Sequence, residues 1–342
     1  MKSKIIVAIS LLLMVGACSG PATIGPTLKI SDEMKSTYVL TDNYANHRLQ
    51  QDRFTTSGGD IAYLDIGQGP VIVLLHGVPS SSWLYRKMLP ELQQNFRVIA
   101  VDLLGYGSSA KPKSTQQNYL PASQAGYIKE LLAGLNISKY SLLFHDMGGL
   151  VAWEMLTSDL ALTEPAIDNL MVLNTIIAEQ GFEHPGVKKG VISRAMANAF
   201  SNKLSSSAAV ELTFKNMGLT NNAKLSAKEC NGYVIPMQEG AADALYDFLT
   251  GFDEARFASL DKQIAGLSKF NGDTLVLWGA EDKVLTTAQI PRLQQVLNIG
   301  DENVIIYPNN AHFLPEEIPD ELVNRITAFL TKKELTLVDR KS

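Results

Sequence analysis

Residues 140 to 156 constrain this chain more than any other stretch. Tyr140-Ser141-Leu142-Leu143-Phe144 reads as a buried strand, and Leu150 to Leu156 reads as a helix with an apolar face. Between them stands His145-Asp146-Met147-Gly148-Gly149. A strand that turns sharply into a helix lifts one side chain clear of the sheet, and small residues after it let the helix pack close behind. Here the lifted residue is Asp146. The Met147 amide would sit in the first helical turn, where backbone N–H groups lack partners and the helix dipole is positive. Such an amide is half of an oxyanion hole. The competing role for Asp146 is a helix N-cap, which Asp also favours.

The flanking sequence repeats the strand–helix alternation. Ile61 to Ile66 alternates as an early strand, and Val71 to Leu75 and Arg97 to Val101 are apolar enough to be buried on both faces. A helix is expected near Ser82 to Gln94 and another from Pro121 to Leu135, with a strand from Asn169 to Asn174. Residues 177–264 then read as helical throughout and are expected to form an inserted cap. Strands resume at Thr274 to Trp278 and Asn303 to Tyr307, and Pro319 to Thr331 is a last helix. This alternation predicts an α/β fold, with a mostly parallel central sheet flanked by helices. The core is expected over 57–176 and 265–342, and 19–56 reads as a polar tether and lead-in without chemistry.

In such sheets ligands bind beyond the carboxyl ends of the strands. Three chemically apt residues fall there: Asp146 at the elbow, Asp282 in Gly279-Ala280-Glu281-Asp282, and His312 after Pro308-Asn309-Asn310-Ala311. Their order is nucleophile, acid, histidine, which is the order of hydrolases built on this elbow. Glu281 is a rival acid. His47 and His184 lie off the strand-end pattern, and His76 and His145 sit inside turns where backbone can satisfy them.

These pieces resemble the α/β-hydrolase fold, and within it the branch of epoxide hydrolases and haloalkane dehalogenases. The matching segments are His76-Gly77-Val78-Pro79, Asp102 to Ser109, His145 to Gly149, Gly279 to Asp282 and His312, within a span from about Ile61 to Leu330. The resemblance implies that Asp146 attacks a saturated carbon to form an alkyl ester of the enzyme. His312, oriented by Asp282, then activates the water that cleaves the ester. It also implies Val78 as the second oxyanion amide beside Met147.

The leaving group is the open question. Dehalogenases of this branch hold a departing halide with a Trp after the nucleophile and with an Asn or Glu in the HGxP-type turn. Those positions are Met147 and Val78 here, neither of which has a useful donor. Trp83, Trp153 and Trp278 all lie outside the expected cap. Epoxide hydrolases instead use cap tyrosines. Gly232-Tyr233-Val234-Ile235-Pro236 resembles the stretch carrying one such proton donor, which makes Tyr233 the candidate, with Tyr246 farther along. The usual second tyrosine is missing from the early cap. Phe144 and Ser82 to Pro90 pull toward the dehalogenases. Epoxide hydrolysis is favoured. Haloalkane dehalogenation, other ester hydrolysis and a ligand-binding relative without turnover follow in that order.

The N-terminus reads as a targeting segment. Lys2 and Lys4 precede an apolar stretch from Ile5 to Val15, and Val15-Gly16-Ala17-Cys18 looks like a bacterial lipobox. Residues 1–18 would be a lipoprotein signal ending at a lipidated Cys18, which anchors the protein to the bacterial envelope on its periplasmic side; the alternative is a plain secretory signal that releases it to the periplasm. Loss of Lys2 and Lys4 takes the net charge from −5 to −7. Without a basic cluster, nucleic acid is excluded as an expected partner. Cys230 would be left as a lone, buried thiol. Neither a metal nor an organic cofactor is implied: no ligand cluster stands out, and Gly105-Tyr106-Gly107 is too short for a nucleotide fingerprint. The expected partners are water and a small hydrophobic epoxide or haloalkane.

Overall fold

A computed structural model describes residues 37–115, 117–162, 166–183, 206–220, 225–250 and 254–332 of the chain. Cys18, the rest of the expected signal and His184 lie outside the described residues. Among those described, no helix is long and apolar enough to cross a membrane.

Eight strands form one sheet: β1 (Asp52–Thr56), β2 (Gly59–Ile66), β3 (Val71–Leu75), β4 (Arg97–Val101), β5 (Tyr140–Asp146), β6 (Ile167–Thr175), β7 (Asp273–Gly279) and β8 (Val304–Tyr307). Their order across the sheet is β1-β2-β4-β3-β5-β6-β7-β8. β2 runs antiparallel to both β1 and β4, and every pairing from β4 to β8 is parallel. β5 is buried along its whole length, as its apolar sequence demands of a central strand covered on both faces. The crossover between β3 and β4 puts β3 and β5 side by side, with Leu75 opposite Phe144. The loops after these two strands therefore meet above the sheet, which is where the site forms.

Two sequence expectations need correction. The lead-in 19–56 is not all tether: α1 (Tyr44–Leu49) and β1 belong to the fold, and Tyr38, Tyr44 and His47 are buried. β1 escapes a sequence reading because it is a charged, half-exposed edge strand, closed onto β2 through Ser57-Gly58. The expected helix from Ser82 to Gln94 is broken. A tight turn (Ser82–Tyr85) starts where the Ser81 hydroxyl accepts the Trp83 amide, and a separate helical turn (Leu89–Leu92) restarts at Pro90, which lacks an N–H to continue the first.

The sheet is flanked by α2 (Pro121–Gly134) and α3 (Gly148–Asp159), which pack against each other. The described residues between β6 and β7 are largely helical: α4 (Ser207–Met217), α5 (Ala227–Pro236), α6 (Ala242–Thr250) and α7 (Glu254–Ile264). α7 lies against α3, so the chain is back on the core before residue 264. Then follow α8 (Ile290–Leu297), which the sequence reading passed over, and α9 (Pro319–Thr331), which falls where expected.

Candidate active site

The turn after β5 is strained and tightly fitted. Asp146 has φ +50°, a left-handed conformation that few non-glycine residues adopt. A Cβ on Gly148 would lie 2.6 Å from the Leu75 carbonyl, and one on Gly149 would meet the Thr175 hydroxyl at 1.8 Å. Only glycine lets α3 start this close to β3 and β6. The Thr175 hydroxyl donates to the Asp146 carbonyl at 2.8 Å and holds the turn.

Asp146 is not a helix cap. The cap position of α3 is Met147, which makes no side-chain cap bond. The Asp146 carboxylate instead accepts the Val78 amide at Oδ2, 2.8 Å away, and a backbone hydrogen bond from Met147. These are the two amides expected of the oxyanion hole. The Gly77 Cα is so near that an added Cβ would lie 2.3 Å from the Asp146 Cβ. Burial pushes the Asp146 carboxyl above its ordinary 3.8, against the pull of His312 and the two amides.

His312 Nδ1 lies 2.7 Å from Asp282 Oδ2, with both side chains fully buried. Glu281 is exposed, and of the two acids it is Asp282 that contacts His312. The other oxygen of Asp282 accepts the Val284 and Leu285 amides at 2.8 and 2.9 Å. Its fourth partner, missed in the sequence, is Asn174 at the end of β6. Asn174 Nδ2 donates to Asp282 Oδ2 at 2.7 Å, and its Oδ1 accepts the Gly279 amide at 2.9 Å. A polar residue closing an apolar strand was the available signal. With Nδ1–H given to Asp282, His312 Nε2 is left as a buried nitrogen without a hydrogen-bond partner. That is the arrangement of a base waiting for water. Burial pulls the His312 pKa down, but the charge and hydrogen bond of Asp282, with Asp146 behind them, leave it above 6.5.

The remaining described histidines are structural. His76 Nδ1 meets the Gly77 carbonyl at 2.8 Å, and its Nε2 accepts the Leu103 amide at 3.0 Å. His145 Nε2 donates to the His312 carbonyl at 2.8 Å, so it braces the base. His47 is locked between Tyr38 and Ser82. Cys230 is buried, and its thiol is pushed up to about 12, chiefly by burial, which makes it a poor nucleophile.

Tyr233 departs from expectation. Its hydroxyl donates to Glu316 Oε1 in a short hydrogen bond. Glu316 is itself paired with Arg86 inside the core. The single phenolic proton thus points at a carboxylate and is not offered to a substrate. The sequence could not reveal this, because Glu316 lies 83 residues from Tyr233.

A model of the alpha/beta hydrolase fold family matches residues 70–319. The chain belongs to this family. Epoxide hydrolase 3 of Xenopus tropicalis is 29% identical over 313 residues, covering 84% of this chain and 78% of that protein. Haloalkane dehalogenase 2 of Mycobacterium tuberculosis is 27% identical over 291 residues, covering 80% and 92%. The crystal structure of a loop variant of haloalkane dehalogenase DbeA from Bradyrhizobium elkanii superposes with a TM-score of 0.65 at 21% identity, covering 83% and 96%. The chain is a hydrolase of this fold.

The buried pair makes a clear prediction. Asp282→Asn keeps the shape but removes the charge that fixes the imidazole, and it can set an amide donor where the His312 Nδ1–H needs an acceptor. We expect kcat to fall by roughly 10⁴-fold. The acid limb of kcat should move to lower pH, because the influences that raise His312 are lost while burial remains. Glu281→Gln should leave both unchanged. Steady-state kinetics across pH checks this.

Proposed function

We propose that this chain hydrolyses epoxides through a covalent ester on Asp146. The observation that carries it is a carboxylate at the elbow, held by the amides of Val78 and Met147 and sharing its site with a base whose free nitrogen, His312 Nε2, has no protein partner. An aspartate there can displace an oxygen from a saturated carbon. The ring oxygen leaves as an alkoxide that takes up a proton. His312 then draws a proton from water, whose oxygen attacks Cγ of Asp146. The oxyanion that forms is the enzyme's own, stabilised by the two amides. Collapse releases the diol and restores the carboxylate.

A ring oxygen is favoured over halide because a halide leaving from a dry site needs donors. Val78 and Met147 are buried and offer only aliphatic and thioether side chains. Kinship with epoxide hydrolase 3 of Xenopus tropicalis agrees with this reading. Dehalogenation is the second reading, favoured by kinship with haloalkane dehalogenase 2. Lipid anchoring at Cys18 would hold the enzyme at a membrane that concentrates apolar substrates; the mass of the mature N-terminal peptide tests it.

The deciding assay offers the purified protein lacking residues 1–18 a panel of terminal and aryl epoxides, followed by diol formation, beside bromo- and chloroalkanes, followed by halide release. Diol without halide is the expected result. Halide without diol would overturn the leaving-group argument.

A further inference from the structure

Gly105-Tyr106-Gly107 is too short for a nucleotide fingerprint, yet its turn is tightly fitted. Both glycines are left-handed, with φ +89° and +50°. A Cβ on Gly105 would lie 2.5 Å from Ala244 of α6, and one on Gly107 would lie 2.2 Å from Asp102 Oδ2. Asp102 is itself fixed, since its carboxylate accepts the Ser82 and Ser108 amides at 2.8 and 2.7 Å. The turn is thus clamped between a helix from above and a buried carboxylate from below. Between the glycines, the Tyr106 ring stands edge-on to His76 at 5.6 Å, and His76 is held at both nitrogens. The braced ring delivers its hydroxyl to Met147, 3.8 Å from the sulfur.

Met147 follows Asp146 in the chain, and the Asp146 charge acts on this phenol. A thioether is a weak acceptor, which leaves the phenol's proton largely uncommitted. Three other phenols are committed: Tyr233 donates to Glu316, Tyr85 to the Leu75 carbonyl at 2.8 Å, and the half-buried Tyr119 to the Pro112 carbonyl. We propose that Tyr106 is the acid that protonates the leaving ring oxygen, in the role the sequence suggested for Tyr233. This rests on the epoxide reading above.

The atoms balance. Asp146 bonds to one ring carbon as the carbon–oxygen bond breaks, and the ring oxygen takes the Tyr106 proton. Water gives its hydroxyl to Cγ of Asp146 and a proton to His312. On collapse, the departing alkoxide takes the His312 proton, and the new carboxylic acid of Asp146 returns its proton to the Tyr106 phenolate. The net change is epoxide plus water to diol. The charges also favour this order. Burial first, and the Asp146 carboxylate second, hold the Tyr106 proton tightly in the resting enzyme. Esterification cancels the Asp146 charge, so the phenol becomes a stronger acid in the step that needs its proton.

The test is single-turnover kinetics with an aryl epoxide, which separate ester formation from ester hydrolysis. We expect Tyr106→Phe to slow ester formation by roughly 10²–10⁴-fold, to abolish its solvent isotope effect, and to leave ester hydrolysis unchanged. Tyr233→Phe should keep the isotope effect. Site-specific 3-fluorotyrosine at 106, which preserves shape while acidifying the phenol, should move the basic limb of kcat/KM to lower pH; this variant keeps the test intact where Tyr106→Phe folds poorly. Normal ester formation in Tyr106→Phe, or an unmoved basic limb, overturns the assignment and leaves the epoxide reading standing. A wild-type enzyme that turns over no epoxide overturns both.

Discussion

His312→Gln should convert the enzyme into a trap, with turnover reduced on the order of 10⁴-fold or more and the protein gaining the mass of one substrate molecule. In the reaction proposed above, the two chemical steps ask different things of the site. Ester formation needs the Asp146 carboxylate, already held by the amides of Val78 and Met147. Ester hydrolysis needs a proton acceptor for water, and His312 Nε2 is a buried nitrogen without a hydrogen-bond partner. Glutamine fills the space but cannot take the proton, so the first step runs and the second stops. Intact-protein mass spectrometry after exposure to an aryl epoxide reads the adduct, and peptide mapping should put it on Asp146. Asp146→Asn added to the same variant should remove it. An unmodified His312→Gln protein would rule out the ester route. Loss of the histidine also removes a positive influence that helps keep Asp146 ionised, so the experiment is best run well above the ordinary carboxylate range.

How much of this was legible in the sequence depended on distance along the chain and on burial. β3 and β5 were readable because strands covered on both faces must be nearly all apolar. The placement of Asp146, Asp282 and His312 was readable because a parallel sheet brings the residues that follow its strands to one end, and all three lie there. β1 was not readable, because an edge strand carries charge to avoid pairing with other chains. Asn174 was invisible as a partner of Asp282, 108 residues away, until β6 and β7 lay side by side. Tyr233 and Tyr106 mark the same limit. A sequence resemblance identified a tyrosine of the right type, but only packing tells which phenol faces a carboxylate and which faces the elbow.

Breaking the buried charge cluster behind Tyr233 from one side should cost much stability. Arg86 sits after the Ser82–Tyr85 turn, with its guanidinium stacked over the Trp83 ring at 4.4 Å. It pairs with Glu316 through two bonds, of which Nη2 to Oε2 spans 3.0 Å, and reaches Glu229 of α5 at 2.7 Å. Lys87 adds contacts to Glu229 at 3.3 Å and to Glu316 at 3.0 Å. Two cations therefore meet two anions, and Tyr233 donates into the cluster from α5. The network ties the turn after β3, the segment that follows His312, and α5 into one body. Stacking of Phe214 on Phe313, with ring centroids 4.1 Å apart, reinforces it. Glu316→Gln leaves Arg86 buried without its main counter-charge, and we expect a loss of about 3–5 kcal/mol, read as a fall in the denaturant midpoint. Arg86→Met combined with Glu316→Leu removes both charges, so its cost should be well below the sum of the single changes. The pair also sets an acid limit. Burial raises the Glu316 carboxyl, but Arg86, Lys87 and the Tyr233 hydroxyl together outweigh it and hold the group below its ordinary 4.5. A folded value below the unfolded one gives stability that is fully present above about 4.5 and is lost as the pH falls below it. Wild type should therefore lose stability more steeply on acidification than Glu316→Gln, so the difference between them should shrink below that pH. A constant gap across the acid range would show that Glu316 contributes through shape and not through charge.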